Sequence, residues 1–313
     1  MRAFAAIRRR ILCSGTALGL TLAMLCSAGG ADERGGSVDR QSVTVTSGRL
    51  TIECNVCLND DFQPNQPIRL ATQFYRPAGP GPFPLVVIIH GTPPGDHTGL
   101  AGFRPDFSRA ARWFAARGFF VVIAYRPGFG GSEGRFAEQL SCPALDYLTT
   151  GRAIAQIESA IVRSAAELPS VDSTRIVVVG HSAGGFGAIA LADDPPPGLV
   201  GVISFAGGHG SDGNGHFCHG AARLIAVVAT FGMANQLPQL WLYAANDHFF
   251  PPQTAHAMAR AYANGSAQPL TFVDLPAFDG DGHSTFQRAD PTSWAPAVSA
   301  FLTNVFAAPS PLP

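Results

Sequence analysis

The chain contains no lysine; every basic side chain other than histidine is an arginine. Schiff-base chemistry and any other reaction that needs a lysine amine are thereby excluded. Charge is sparse as well: 14% of the 313 residues are charged against 46% hydrophobic, and the formal net charge is −1. So little charge, so evenly balanced, gives no electrostatic footprint for nucleic acid and describes a chain that buries a large core. Internal repeats are absent. From about residue 83 onward, strand and helix patterns alternate without a linker-like break. That alternation points to an α/β domain with a mostly parallel sheet covered on both faces.

An apolar run long enough for a stable membrane span is also missing near the N-terminus. Residues 11–25 are apolar but short for that purpose. They follow Arg8-Arg9-Arg10 and precede Ser27-Ala28-Gly29-Gly30-Ala31, the basic, apolar, small-residue order of a signal peptide. Residues 1–31 are therefore expected to be an export leader cleaved near Ala28 or Ala31. Residues 32–313 are expected to form one domain in the periplasm or outside the cell, without a stable membrane anchor. The arginines admit a twin-arginine route, and bulky Leu25 argues against a lipid anchor at Cys26.

Cysteine is scarce, with six residues, and two of them, Cys13 and Cys26, leave with the leader. The remaining Cys54, Cys57, Cys142 and Cys218 are an even set for an oxidising compartment, where four cysteines allow three pairings. We favour Cys54–Cys57, which needs a turn at Asn55-Val56, and Cys142–Cys218. A redox C-x-x-C belongs at a helix start, and here Asn59-Asp60-Asp61 follows instead.

What the chain does have is Gly180-His181-Ser182-Ala183-Gly184, placed between the apolar run 175–179 and the small-residue helical pattern 185–191. Strand, sharp turn and helix put Ser182 at the apex, and the glycines let the chain bend and a substrate approach. A serine hydroxyl needs an imidazole to accept its proton and an acid to orient that imidazole. Asp247 follows the buried strand 240–245, and His283 follows the strand 270–275 on a loop that reads as mobile, so both lie downstream in the order acid then histidine. Asp279 and Asp281, close to His283 in sequence, compete for the acid role.

The other histidines carry blander readings. His181 packs beneath the turn, and His248 and His256 read as surface or supporting residues. His209, His216 and His219, with Asp212, match no metal-ligand spacing and read as a solvated Gly-rich loop, so no metal is expected there. For the oxyanion the expected donors are the backbone N–H groups of Ala183 and of Thr92. The latter lies in the turn 90–95 after the strand 83–89, where Pro93 and Pro94 have no N–H to give. His90 shapes that turn.

Segments 42–46, 49–53 and 68–75 read as edge strands, 119–125 and 199–205 as buried strands, and 107–117, 145–168, 221–231 and 294–306 as helices. Little room remains for a large cap domain. The site should be open, floored by residues 207–219 and the turn 126–132.

With these pieces in place the chain resembles an α/β-hydrolase, and more narrowly the secreted branch of the dienelactone hydrolase family, over roughly residues 65–306. The resemblance rests on residues 180–185, 240–247 and 281–283, with Trp294 beyond. It implies a Ser182–Asp247–His283 triad, a central sheet with antiparallel N-terminal edge strands, and no cofactor. The family proper uses a cysteine nucleophile, so its substrate does not transfer with the name. The expectation is a serine hydrolase acting on a small-molecule carboxylic ester. The alternatives are a peptidase related to the prolyl oligopeptidases, whose propeller this chain is too short to hold, and an inactive binding protein on the same scaffold.

Overall fold

The computed structural model describes residues 42–307 apart from 60, 62, 94–99, 136, 137, 139 and 140. The expected leader, Pro94 and Gly95 lie outside the described residues. The elements run β1 (Val43–Ile52), β2 (Ile68–Pro77), β3 (Phe83–Ile89), α1 (Ser108–Ala115), β4 (Phe120–Ala124), α2 (Tyr147–Ala166) and β5 (Val171–His181). Then come α3 (Ala183–Leu191), β6 (Leu199–Phe205), α4 (Ala221–Ala234), β7 (Gln239–Ala244), α5 (Pro252–Gly265), β8 (Leu270–Leu275), α6 (Thr285–Arg288) and α7 (Ala295–Ala307).

Among the described residues these strands form one eight-stranded sheet in the order β1-β2-β4-β3-β5-β6-β7-β8. β1 and β2 are antiparallel to their neighbours, and the rest of the sheet is parallel. The central strands read as unbroken apolar runs because both their faces are covered. Leu85, Val87 and Ile89 pack with Ile154, Phe186, Leu224 and Met258 from α2 to α5. Val86 and Ile88 face the other way, towards Phe114 of α1 and Val298 and Phe301 of α7. The period-two alternation of a strand thus divides the core into two layers.

Several boundaries differ from the sequence reading. Segments 42–46 and 49–53 are one strand, because Gly48 pairs with Thr72 and lies under the Phe74 ring. A strand glycine beneath an aromatic ring is a close-packing site and not a turn. The helix expected over 145–168 starts at Tyr147, where the Asp146 carboxylate caps the N–H of Thr149 at 2.7 Å. Both favoured disulfides are present, with Cα separations of 5.1 Å for Cys54–Cys57 and 5.2 Å for Cys142–Cys218. The first closes the turn at Asn55-Val56, where the Cys57 N–H meets the Cys54 carbonyl at 3.1 Å.

Candidate active site

β3 and β5 are parallel neighbours, with Ile89 opposite Gly180, so the segments that leave their carboxyl ends emerge side by side. Ser182 sits on the second of these with φ 54° and ψ −120°, a strained conformation for a residue with a side chain. The turn is held at three points: the Ser182 N–H bonds the Phe205 carbonyl at 3.0 Å, and its own carbonyl accepts from Phe186 at 2.9 Å and Gly208 at 3.1 Å. Glycine is required around it. A Cβ at Gly91 would lie 2.6 Å from the Ser182 Cβ, and one at Gly184 would lie 2.6 Å from the His90 carbonyl oxygen. Ala183 opens α3, where the first backbone N–H groups have no partner within the helix.

Asp247 leaves the end of β7 and is 1% exposed. One of its oxygens accepts the N–H groups of Phe249 and Phe250, each at 2.9 Å, which fixes the carboxylate. Both oxygens stand 3.2 Å from His283 Nδ1, so the imidazole presents its other nitrogen away from the acid. Phe249 covers the His283 ring with centroids 4.4 Å apart.

The expectation of a mobile histidine loop needs correction. His283 lies in a short 3-10 turn, Gly282–Ser284, tied by its N–H to the Asp281 carboxylate at 2.9 Å and by its carbonyl to His181 Nε2 at 2.8 Å. Asp281 also accepts the N–H of His248 at 3.1 Å, which makes it a brace for both loops. Asp279 points elsewhere and pairs with Arg288 at 2.7 Å. Of the three competing carboxylates, the one the fold brings to the imidazole is Asp247. Burial, and secondarily His283, pushes the His181 pKa down to about 3, so its ring is neutral and can donate to the His283 carbonyl.

Two cavities meet at Ser182. One, of about 500 Å³, is lined by Thr92, Ser182, Ala183, Gly208 to Asp212, His216, Phe217, Phe249, Phe250 and the Cys142–Cys218 disulfide. The other, of about 450 Å³, is lined by Gly91, Thr92, residues 102–105, His181, Ser182, Phe249, Asp281, His283 and Gln287. The expected floor is therefore half right. Residues 208–212 and 216–218 do line the first cavity, but the turn 126–132 lies behind the site, with Arg126 and Phe129 buried against His90.

His209 also departs from the solvated-loop reading. It is 8% exposed and stands 3.8 Å from Glu138, and burial lowers its pKa to about 4, with Arg126 adding to the effect. His216 and Asp212 pair at 3.2 Å on the exposed rim, and His256 pairs with Asp274 at 2.9 Å. Among the described residues no group of three or more histidine, cysteine, aspartate or glutamate side chains forms a metal-binding cluster. None of their helices is long and apolar enough to cross a membrane.

A mostly parallel sheet with an antiparallel edge, helices on both faces and a strained serine between β5 and α3 defines an α/β-hydrolase fold. The profile of the family described as X-Pro dipeptidyl-peptidase (S15 family) matches residues 66–273, more than half of the chain, and the chain belongs to that family. No match is found among curated proteins. The fold is similar to that of an esterase from Pyrococcus furiosus (TM-score 0.56, 14% identity, covering 84% of this chain and 92% of the other). It is similar also to a dienelactone hydrolase-like promiscuous phosphotriesterase from metagenomic libraries (0.52, 18%, 84% and 98%). Porphyromonas gingivalis dipeptidyl peptidase 4 matches over 83% of this chain but 35% of its own (0.53, 14%). At these identities the likeness concerns the fold.

Proposed function

We propose that the chain is an exported serine hydrolase that cleaves carboxylic esters through an acyl-enzyme. The observation that carries this reading is the placement of His283, held by both oxygens of buried Asp247 and lining one cavity with Ser182. In the proposed cycle His283 takes the Ser182 proton as Oγ attacks the substrate carbonyl, and the N–H groups of Ala183 and Thr92 receive the oxyanion. The carbonyl re-forms, the C–O bond to the leaving alcohol breaks, and His283 returns the proton to that alcohol. Water then repeats the sequence on the acyl-enzyme.

Because the same imidazole protonates the leaving group, the alcohol belongs in the cavity that His283 lines. The acyl group then falls to the cavity beside the disulfide, Phe217 and Phe250. The two disulfides suit an oxidising compartment and so support export.

Family membership favours a second reading, removal of X-Pro dipeptides from peptide N-termini. Such a substrate presents an ammonium group on its acyl side, and an unengaged carboxylate there would recognise it. Among the described residues lining the acyl-side cavity the carboxylate is Asp212, already bound to the N–H groups of Asn214 at 2.7 Å and His216 at 3.2 Å. Purified mature protein assayed on matched p-nitrophenyl esters and on Gly-Pro-p-nitroanilide separates the two. The ester reading expects kcat/KM to be higher on an ester; preference for the dipeptidyl amide would overturn it.

A further inference from the structure

Behind the turn that carries Thr92 lies a group of ionic side chains that the proposed cycle does not use. Arg126, Glu138 and Glu158 come from the end of β4, the following loop and α2, and are respectively 0%, 6% and 0% exposed. Removing such charges from water costs several kcal/mol each, and apolar side chains would fill the space at lower cost. A buried ion pair kept at such a place calls for a use, and its hydrogen bonds indicate one.

Arg126 Nη1 contacts Glu138 Oε1. Arg126 Nη2 donates to Thr92 Oγ1 at 3.0 Å, and that hydroxyl donates to Glu138 Oε2 at 2.8 Å, which closes a three-membered ring of polar contacts. The backbone N–H of Arg126 donates to His90 Nε2 at 2.9 Å, while His90 Nδ1 meets the Gly91 carbonyl at 2.6 Å. Arg126 therefore grips the turn 90–92 twice, through an imidazole and through a hydroxyl.

Resting on the serine-hydrolase reading, we propose that Arg126 and Glu138 are positioning residues for the oxyanion site, holding Thr92 by its hydroxyl so that its backbone N–H faces the reacting carbonyl. The charge states agree with this role. Burial lowers Arg126 to about 9, with Glu158 opposing, so the guanidinium stays cationic at neutral pH. Burial raises Glu158 well above the ordinary carboxylate range, against the pull of Arg126, and burial keeps His209 neutral. Glu138 is the carboxyl group in direct contact with the Arg126 guanidinium. Alignment of this kind matters because an oxyanion donor works only at the position the oxygen takes in the transition state.

The test is Thr92→Val, which keeps the shape and the backbone N–H but removes the hydroxyl. Its kcat should fall about tenfold with KM within about twofold, since a misaimed donor loses transition-state binding and little ground-state binding. Thr92→Ser, which retains the hydroxyl, should recover most of that loss. The Ki of a trifluoromethyl ketone, which forms an oxyanion on the nucleophile, should rise in Thr92→Val in proportion to the fall in kcat. Glu138→Gln, which leaves an acceptor for the hydroxyl but removes the charge, should show a smaller shift of the same kind and serves if Thr92→Val does not fold. Wild-type kcat in Thr92→Val, or a fall in kcat without a rise in Ki, overturns the proposal. A wild-type protein without hydrolytic activity, or a Ser182→Ala variant as active as the wild type, overturns the serine-hydrolase reading instead.

Discussion

The two sides of Ser182 are supported in opposite ways. On the histidine side, Asp247 from the loop after β7, His181 at the end of β5 and Asp281 from the loop that carries His283 itself hold that residue by hydrogen bonds to backbone and ring atoms. On the side of the proposed oxyanion donor, Thr92 is held from behind by buried Arg126 and Glu138, 34 and 46 residues away in sequence. The histidine side is built from hydrogen bonds that also complete the turns; the oxyanion side depends on an ion pair kept out of water. A proton carrier needs orientation along one bond axis, whereas a backbone donor can be aimed only by moving its whole turn. The difference in construction follows from that.

If this contrast holds, the largest effects should fall on the histidine side. Asp247→Asn should lower kcat by on the order of 10³- to 10⁴-fold, because an amide does not hold the imidazole in the tautomer that can accept the serine proton. That far exceeds the effect expected of Thr92→Val. Asp281→Ala should lower kcat roughly tenfold, about as much as Thr92→Val, since it frees the turn but leaves the acid in place. Asp279→Asn should change kcat little, because its carboxylate meets Arg288. Steady-state kinetics of the three variants on one ester give the ranking, and an Asp279 or Asp281 variant worse than Asp247→Asn would reverse the assignment of the acid.

The disulfide sharpens the comparison on the acyl side. Cys142 and Cys218 are 76 residues apart and both line the cavity proposed for the acyl group. Cys218→Ser should lower stability by up to about 4 kcal/mol on chain-entropy grounds. It should also broaden acyl-chain selectivity before it lowers kcat on a short ester, because no residue that touches the reacting atoms is removed. Chemical denaturation together with an ester panel of increasing chain length measures both, and unchanged stability with unchanged selectivity would show that the bond does not shape the pocket.

The histidine side should also show a pH dependence of stability. Because burial lowers His181 to about 3 from 6.5, the unfolded chain binds a proton between those values that the folded protein does not. Stability contributed by the neutral ring is complete above pH 6.5 and is lost as pH falls towards 3, at about 1.4 kcal/mol per pH unit. Unfolding free energies at pH 6.5 and 4.5 should therefore fall more steeply in the wild type than in His181→Asn. Equal slopes would mean that His181 accepts a proton in the folded state.

The same contrast explains what the sequence made legible. Ser182, Asp247 and His283 each stand just beyond a recognisable apolar strand, so strand order alone places them at one end of the sheet. The apolar runs of β3 and β6 and the more exposed edge strand β8 also match their observed limits. Arg126 and Glu138 carry no such signal. The first looks like part of a Gly-rich turn, the second lies in a segment without periodicity, and only long-range packing pairs them. His209 misled for a related reason: its glycine-rich surroundings read as solvated, but the chain folds inward there to line the cavity. Gly48 misled in the opposite sense, since the ring that makes its strand continuous, Phe74, belongs to a different strand.

The central claim is that Ser182 is the nucleophile, and a fluorophosphonate probe tests it most directly. Native protein treated with the probe, digested and mapped by mass spectrometry should carry one phosphonyl adduct on Ser182, and Ser182→Ala should carry none. Failure of the folded wild type to react, or an adduct on another residue, would contradict the account.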